Sequence, residues 1–207
     1  MITNYKEYRE YVRCDLAAYQ VEHLTLFRYF FDDCLRFQLR LRRIIEWLHN
    51  AYSAASPHAR KGLLIAYLLR GWCGVLQIIN HRLATRLGLS IPKNVFGPGL
   101  CIVHYGTIVV SPKARIGRNC RIHPSTSIGD YNGAPAIGDN VYIGPGAKLF
   151  GNITIGNNVA VGANAVVNHS FGDDVTIGGI PATIISHRSS LETGVFPDTL
   201  VQPLCQR

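Results

Sequence analysis

Aliphatic residues recur every six positions through the second half of the chain, a period that fits neither an α-helix nor an alternating strand. After one step of nine residues the series resumes with the same spacing. The ten positions are Val110, Ile116, Ile122, Ile128, Ile137, Ile143, Leu149, Ile155, Val161 and Val167. Such a period predicts a coil with three short flat faces, in which each aliphatic side chain points into a narrow prism. Because each coil covers the apolar face of the next, we predict a parallel β-helix over residues 89–186.

The step of nine residues, from Ile128 to Ile137, adds three residues in the segment DYNGAPA. The packed faces of a β-helix cannot absorb an insertion, so the extra residues are expected to leave as a loop at a corner. Functional groups concentrate in loops of this kind.

The first 88 residues have a helical pattern instead. We predict helices over about 4–18, 22–50 and 57–87, with apolar residues of the second one spaced for a single helical face. Ser56 and Pro57 are typical of a helix start, and Gly88 is the residue type expected just past a helix end. Residues 187–207 lose the six-residue period and are predicted to form a C-terminal tail without regular structure.

The formal net charge of +8 is concentrated in the helical part, where residues 1–88 hold 13 Lys and Arg against 7 Asp and Glu. The excess includes Arg36, Arg40, Arg42 and Arg43. A solvated helix face is the favoured interpretation, and peripheral contact with a membrane or a partner protein stays open. No basic and aromatic interleaving is found, so nucleic acid is not an expected partner.

The six cysteines are widely scattered, with no CxxC pair and no histidine at zinc-ligand spacing. We therefore expect small core thiols rather than a disulfide framework, and no metal. The N-terminal residues are too charged for a signal peptide, and the apolar stretch from Gly62 to Asn80 is interrupted by Arg70. These features favour a cytoplasmic protein.

Three segments resemble the serine acetyltransferase branch of the hexapeptide-repeat acyltransferases, especially its shorter members found with capsule and exopolysaccharide pathways. They read GLCIVHYGTIVVSPKARIGRNCRIH, APAIGDNVYIGPGAKLFGNITIGNNVAVGANAVV and GGIPATII. The resemblance implies a mainly β chain, a left-handed parallel β-helix preceded by an α-helical N-terminal region. It also implies a homotrimer that takes acetyl-CoA as co-substrate.

The same resemblance implies that His104 is the general base. A hydroxyl is a poor nucleophile until a nearby base takes its proton, and histidine suits this role because it titrates near neutral pH. The weaker match RCDLAAY implies that Asp15 lies near the acceptor and orients it or steadies the protonated histidine. A helix cap or a solvated carboxylate is an equally open interpretation of Asp15.

The resemblance further implies that the pantetheine arm of acetyl-CoA follows small residues in a groove between neighbouring β-helices. By position, the implied contacts are Asp130, Tyr131, Gly144, Pro145, Gly162, Ala163, Gly179, Pro181 and Arg188. Arg188, with His187, would meet a phosphate of CoA, or would simply be solvated. The family usually has a basic residue after the Gly-x-Pro-Ala turn, but this chain has Thr183 at that position.

Departures from the family pattern bear on the acceptor. Val103 replaces the aspartate that precedes the histidine, and Ser90 replaces a second aspartate about one coil earlier. The Arg-His pair that grips the serine carboxylate is absent, and the matching loop reads NGAPA. The C-terminus, LCQR, lacks the isoleucine that docks into cysteine synthase, so no such complex is expected. Among small-molecule and carbohydrate acceptors, we therefore expect a sugar hydroxyl, in a polysaccharide unit or its precursor.

Three alternatives remain. A serine O-acetyltransferase or a sugar N-acetyltransferase would keep the same chemistry with another acceptor. A zinc-dependent hydratase on this fold needs a histidine pair at H-x4-H, which the chain lacks. A non-catalytic assembly protein would keep the β-helix but bind no acetyl-CoA.

Overall fold

The computed structural model describes residues 1–20, 34–54 and 64–196. Three helices, α1 (Tyr5–Ala18), α2 (Cys34–Ala54) and α3 (Leu64–Leu87), correspond to the three segments predicted to be helical, and α2 continues four residues past its predicted end at residue 50. The parts of those predictions that fall on residues 21–33 and 55–63 lie outside the described residues. Asn4 caps α1, since its side chain accepts a hydrogen bond of 2.9 Å from the Glu7 amide.

Fourteen short strands follow the helices in the described chain. They are β1 (Leu89–Ser90), β2 (Cys101–Ile102), β3 (Ile108–Val110), β4 (Arg115–Ile116), β5 (Arg121–Ile122), β6 (Thr126–Gly129), β7 (Ala136–Ile137), β8 (Tyr142–Ile143), β9 (Lys148–Phe150), β10 (Thr154–Ile155), β11 (Ala160–Val161), β12 (Val166–Val167), β13 (Thr176–Gly179) and β14 (Ala182–Ser186). They form three sheets, ordered β1-β3-β6-β9-β12, β4-β7-β10 and β2-β5-β8-β11-β13-β14. All pairs are parallel except β13–β14, so the predicted parallel β-helix is confirmed.

The core of the β-helix is the column of aliphatic residues that the six-residue period singled out. All ten are at most 5% exposed, and they stack in register, as Ile122 does on Ile143. Small residues two positions earlier, such as Ala114 and Ala147, are fully buried beneath the corners. The period therefore reports the side chains that fill the prism.

One corner of the β-helix is held by a ladder of amide side chains in the left-handed region of φ. Asn119, Asn140, Asn158 and Asp174 have φ between 54° and 59°, a conformation that Asn and Asp tolerate better than most residues. Each amide donates to the next side chain along the stack at 2.8 or 2.9 Å. The ladder fixes the register of successive coils along this edge.

The first coil has no earlier coil to bond, and the helical region takes its place. The Tyr19 hydroxyl accepts from the Ile102 amide and donates to the Ile102 carbonyl, both at 2.8 Å. The buried Asp15 carboxylate accepts from the amides of Gly99 and Leu100 at 2.8 and 2.9 Å. Side chains of α1 and of the residue directly after it therefore supply hydrogen-bond partners to the backbone amides and carbonyls at the open end of the stack.

Arg43 joins the two helices α1 and α2 to this first coil. Its guanidinium donates to Asp15 at 2.7 Å, to Glu46 at 3.0 Å, and to the carbonyls of Phe96 and Gly97 at 3.1 and 2.7 Å. Burial lowers the pKa of Arg43, but the carboxylates of Asp15 and Glu46 more than reverse this and raise it. The guanidinium therefore stays charged, and the helices are bound to the β-helix through a buried ionic network.

The basic face predicted on the second helix is partly wrong. Arg42 and Arg43 are buried, because Arg42 pairs with Glu46 at 3.2 Å and donates to the Pro92 carbonyl at 2.6 Å. Arg40 is exposed, and the side chain of Arg36 lies outside the described part of the chain. Within the described residues, none of the helices has the length and apolarity needed to cross a membrane.

The cysteines and the C-terminal tail differ in part from what the sequence predicts. Cys14 is disulfide-bonded, contrary to the expectation of uniformly free thiols, whereas Cys73, Cys101 and Cys120 are free. Residues 187–196 lack regular structure, as predicted, but they dock on the corner ladder. Ser190 donates through its amide to the Asn158 carbonyl at 2.8 Å. The tail beyond residue 196 lies outside the described residues.

Replacement of Arg43 by methionine is expected to lower the free energy of unfolding by about 3–5 kcal/mol, because Asp15 and Glu46 would remain buried without their cation. Urea unfolding followed by far-UV circular dichroism measures this. Arg82→Met, at an exposed position of α3, is the matched control and is expected to change stability by at most about 0.5 kcal/mol. Equal effects of the two substitutions would contradict a central role for Arg43.

Candidate active site

His104 lies exposed on the turn that follows β2, at the corner that leads from β2 to β3. The turn is fixed by Gly106, which has a φ of +143° and donates to the Leu87 carbonyl at 2.9 Å. A Cβ at Gly106 would lie 2.9 Å from Cβ of Pro124 on the next coil, so only glycine fits. The end of α3 and the next coil therefore hold the histidine at a defined place.

A row of outward-facing residues runs down the stack beside His104. Since β2, β5, β8, β11 and β13 pair in register, the residues that follow their buried aliphatic positions lie one above another. The members of this row are Val103, His123, Gly144, Gly162 and Gly178. The lower part of the row is thus a track without side chains, which leads along the β-helix towards His123 and His104.

The glycines of this track are dictated by packing. A Cβ at Gly144 would approach the carbonyl oxygen of Val161 and the amide of Ala163 to 2.8 Å. A Cβ at Gly162 would lie 3.2 Å from the Ile177 carbonyl oxygen. The coil geometry therefore favours glycine along this row, and Gly178, which sequence analysis did not single out, continues it. Gly144 and Gly178 are buried and Gly162 is half-buried, so the exposed part of the edge is formed by Pro145, Ala163 and Gly179.

The next residue of each coil forms a second row along the same corner. It consists of His104, Pro124, Pro145, Ala163 and Gly179. The structure thus brings the predicted base and five of the predicted cofactor contacts to one edge of the β-helix. Those five are Gly144, Pro145, Gly162, Ala163 and Gly179.

His123 adds a second imidazole to this edge. Its Nε2 atom is buried and has no hydrogen-bond partner among the described residues, while its ring meets the Tyr142 ring edge-on at 5.1 Å. Burial, then the charges of Arg121 and His104, lower the pKa of His123. The electrostatic influence of His104 indicates that the two histidines share one site.

Asp15 has a different set of contacts from the one the resemblance implies. It is 5% exposed, and its carboxylate is engaged by Arg43 and by the amides of Gly99 and Leu100. None of these contacts, within the described part of the chain, joins it to His104. The carboxylate is neither a cap nor solvated, and it ties α1 to the first coil.

Of the four remaining predicted contacts, Asp130 and Tyr131 lie apart from the edge that carries His104, whereas Pro181 lies two residues beyond Gly179 of that edge. Asp130 and Tyr131 follow β6 at another corner, where Asp130 pairs with Lys113 at 2.8 Å. Pro181 is exposed in the turn between β13 and β14. The Arg188 guanidinium donates to the Glu192 carbonyl at 2.5 Å within the tail. A single chain does not bring Asp130 and Tyr131 together with the glycine track.

The coils of this chain are similar to those of known proteins. The family model described as bacterial transferase hexapeptide (six repeats) matches residues 135–169. A serine acetyltransferase from Staphylococcus xylosus is 40% identical over 141 residues, which cover 64% of this chain and 65% of that protein. The resemblance to the serine acetyltransferase branch is confirmed. The chain spans between 47% and 65% of the length of the first three such serine acetyltransferases.

Solved structures of serine acetyltransferases share this fold. The enzyme from Brucella abortus strain S19 superposes with a TM-score of 0.66 at 23% identity, over 89% of this chain and 71% of that one. A serine acetyltransferase in complex with CoA gives a TM-score of 0.61 at 22% identity, over 87% of this chain and 70% of that one. In all of these comparisons with serine acetyltransferases the matched region includes the hexapeptide coils and, in the structures, part of the helical region.

Proposed function

We propose that this chain is an acetyl-CoA-dependent O-acetyltransferase with His104 as its general base, and that serine is the first acceptor to test. The observation that carries the proposal is the exposed histidine at the head of an edge of small residues, of which Pro145, Ala163 and Gly179 are exposed. Such an edge suits a long, thin donor, because small residues let a pantetheine arm lie close to the main chain. The relative solved with CoA supports the choice of donor.

The reaction needs no covalent enzyme intermediate. The acceptor hydroxyl oxygen attacks the thioester carbonyl while His104 takes the hydroxyl proton, and the carbonyl becomes an oxyanion. Collapse of this intermediate breaks the carbon–sulfur bond, and the departing thiolate receives the proton from His104. The products are the O-acetyl ester and CoA with a free thiol, so atoms and charge balance.

The donor site is proposed to be completed by a neighbouring chain. Asp130 and Tyr131 lie at a different corner from Gly144 and Ala163, so a site that uses all four requires two adjacent β-helices. A homotrimer packed side by side provides such grooves, in line with the expectation from the resemblance. Light scattering that gives the mass of a monomer would exclude this arrangement.

Two acceptor classes compete. The relatives named above are serine acetyltransferases, which favours serine as the acceptor. The apolar Val103 beside His104, together with the loop NGAPA, instead favours a carbohydrate hydroxyl, because the grip expected for an amino acid is missing from that loop. We therefore rank serine first and a sugar hydroxyl second.

Replacement of His104 by alanine is expected to lower kcat about 10²- to 10⁴-fold with serine, since the hydroxyl would lose its base. Thiol release from acetyl-CoA measures turnover, and equilibrium dialysis measures acetyl-CoA binding, which should not change. His169→Ala is the control, because His169 is exposed, packs on Phe171 at 4.5 Å and lies outside both rows. Full activity of the His104 variant would refute the assignment of the base.

Replacement of Ala163 by tyrosine is expected to raise the Kd for acetyl-CoA at least about 10-fold, because its side chain would stand in the donor track. Ala163 is exposed, so the fold should tolerate the larger side chain. Thr154→Tyr places the same group at an exposed position on the β4-β7-β10 sheet and serves as the control. If both variants bind acetyl-CoA as the parent does, the donor lies elsewhere.

A further inference from the structure

A cavity of about 350 Å³ opens directly beside the turn that carries His104. Its walls come from the end of α1 and the residues after it, from β2 and β5, and from the tail. The described residues that line it are Ala18, Tyr19, Gln20, Cys101, Val103, Arg121, Gly194 and Val195. Val103 links the cavity to the proposed base, because it immediately precedes His104 in the chain.

Arg121 is the charged residue in that lining. It lies on β5, in register between Cys101 on β2 and Tyr142 on β8. Its guanidinium donates one long hydrogen bond of 3.9 Å to Sγ of Cys101, and it forms no ion pair with any residue that the structure describes. A half-buried guanidinium with most of its five donors available is suited to a bidentate anionic ligand.

The surroundings of Arg121 are cationic or neutral. The titratable side chains close to it are His123, on the same coil, and Tyr142, on the adjacent strand β8. Burial lowers the pKa of His123, and the charge of Arg121 lowers it further. His123 is not among the described residues that line the cavity, and its unpartnered Nε2 is buried. No described carboxylate forms an ion pair with Arg121, so its charge is available to an anion.

We propose that Arg121 determines acceptor specificity by binding a carboxylate of the acceptor in the cavity beside Val103, which presents the acceptor hydroxyl to His104. This inference rests on the proposed function and names the chemical class of the acceptor, a hydroxy compound that bears a carboxylate. The loop NGAPA contains no cation for a carboxylate, and Arg121 supplies one from a different coil. Serine and sugar acids share this chemistry, whereas neutral sugars and amino alcohols do not.

The test compares two matched pairs of acceptors, L-serine with L-serinamide and glucuronate with glucose. We expect the parent protein to favour the carboxylate member of at least one pair by about 10- to 100-fold in kcat/KM, the range typical of hydrogen bonds to a charged group. Arg121→Gln is expected to abolish that preference through a higher KM, with kcat and the acetyl-CoA Kd nearly unchanged. Which pair responds distinguishes an amino-acid acceptor from a sugar acid.

Two further variants guard against a purely structural effect. Arg121→Lys keeps the charge but loses the bidentate fork, so it is expected to retain part of the preference. Arg115→Gln removes an exposed arginine from β4, on another sheet, and should leave the preference intact. Equal losses for charged and neutral acceptors in Arg121→Gln, or no preference in the parent, would overturn the inference.

Equilibrium binding of the same four ligands without acetyl-CoA separates this inference from the proposed function. If a carboxylate ligand binds in a manner that depends on Arg121, but no acceptor is acetylated, the carboxylate site would stand and the transferase activity would be rejected. If serinamide and glucose are acetylated as readily as serine and glucuronate, the transferase activity would stand and the carboxylate site would be rejected.

Discussion

Parallel stacking of coils at a fixed register is the constraint on which the rest of the structure depends. Each coil presents one aliphatic side chain per face to the prism, and adjacent coils bond through the main chain. Because the parallel strand pairs keep one register, the residues at matching positions of successive coils align in straight rows. That alignment makes neighbours of residues that are about 18 to 21 positions apart in sequence. It produces the glycine track, the amide ladder and the row that begins with His104.

The sequence was sufficient for the fold because the prism accepts only aliphatic residues at one position in six, so the core is written directly into the period. The proposed base and the glycines of the proposed donor site could be predicted through the family resemblance. The proposed role of Arg121 could not, because it rests on the absence of a carboxylate partner among the described residues, which depends on three-dimensional neighbours. The sequence does contain a signal for the position of Arg121. Every third hexapeptide lies on the same sheet, so the residues that flank its aliphatic position share one surface of the β-helix.

Asp15 illustrates the opposite error. A matching position suggested a role near the acceptor, yet the carboxylate is surrounded by Arg43 and backbone amides of the first coil. The reason is the unsatisfied backbone at the start of the stack, which sequence periodicity does not reveal because it describes only interior coils. The same helix end that carries this carboxylate also provides Ala18, Tyr19 and Gln20 as a wall of the cavity, so support of the first coil and shape of the acceptor pocket are coupled.

The hydrogen bonds of Tyr19, Asp15 and Arg43 to the first coil have a consequence for assembly. Without them, the first coil would expose a row of unpaired amides and carbonyls, an edge ready to pair with the strands of another molecule. Coils of this kind stack indefinitely in principle, as in fibrous proteins, and repeat proteins need a polar cap to stop. The helices of this chain therefore act as a cap on the first coil, which covers the edge on which a further coil would otherwise stack.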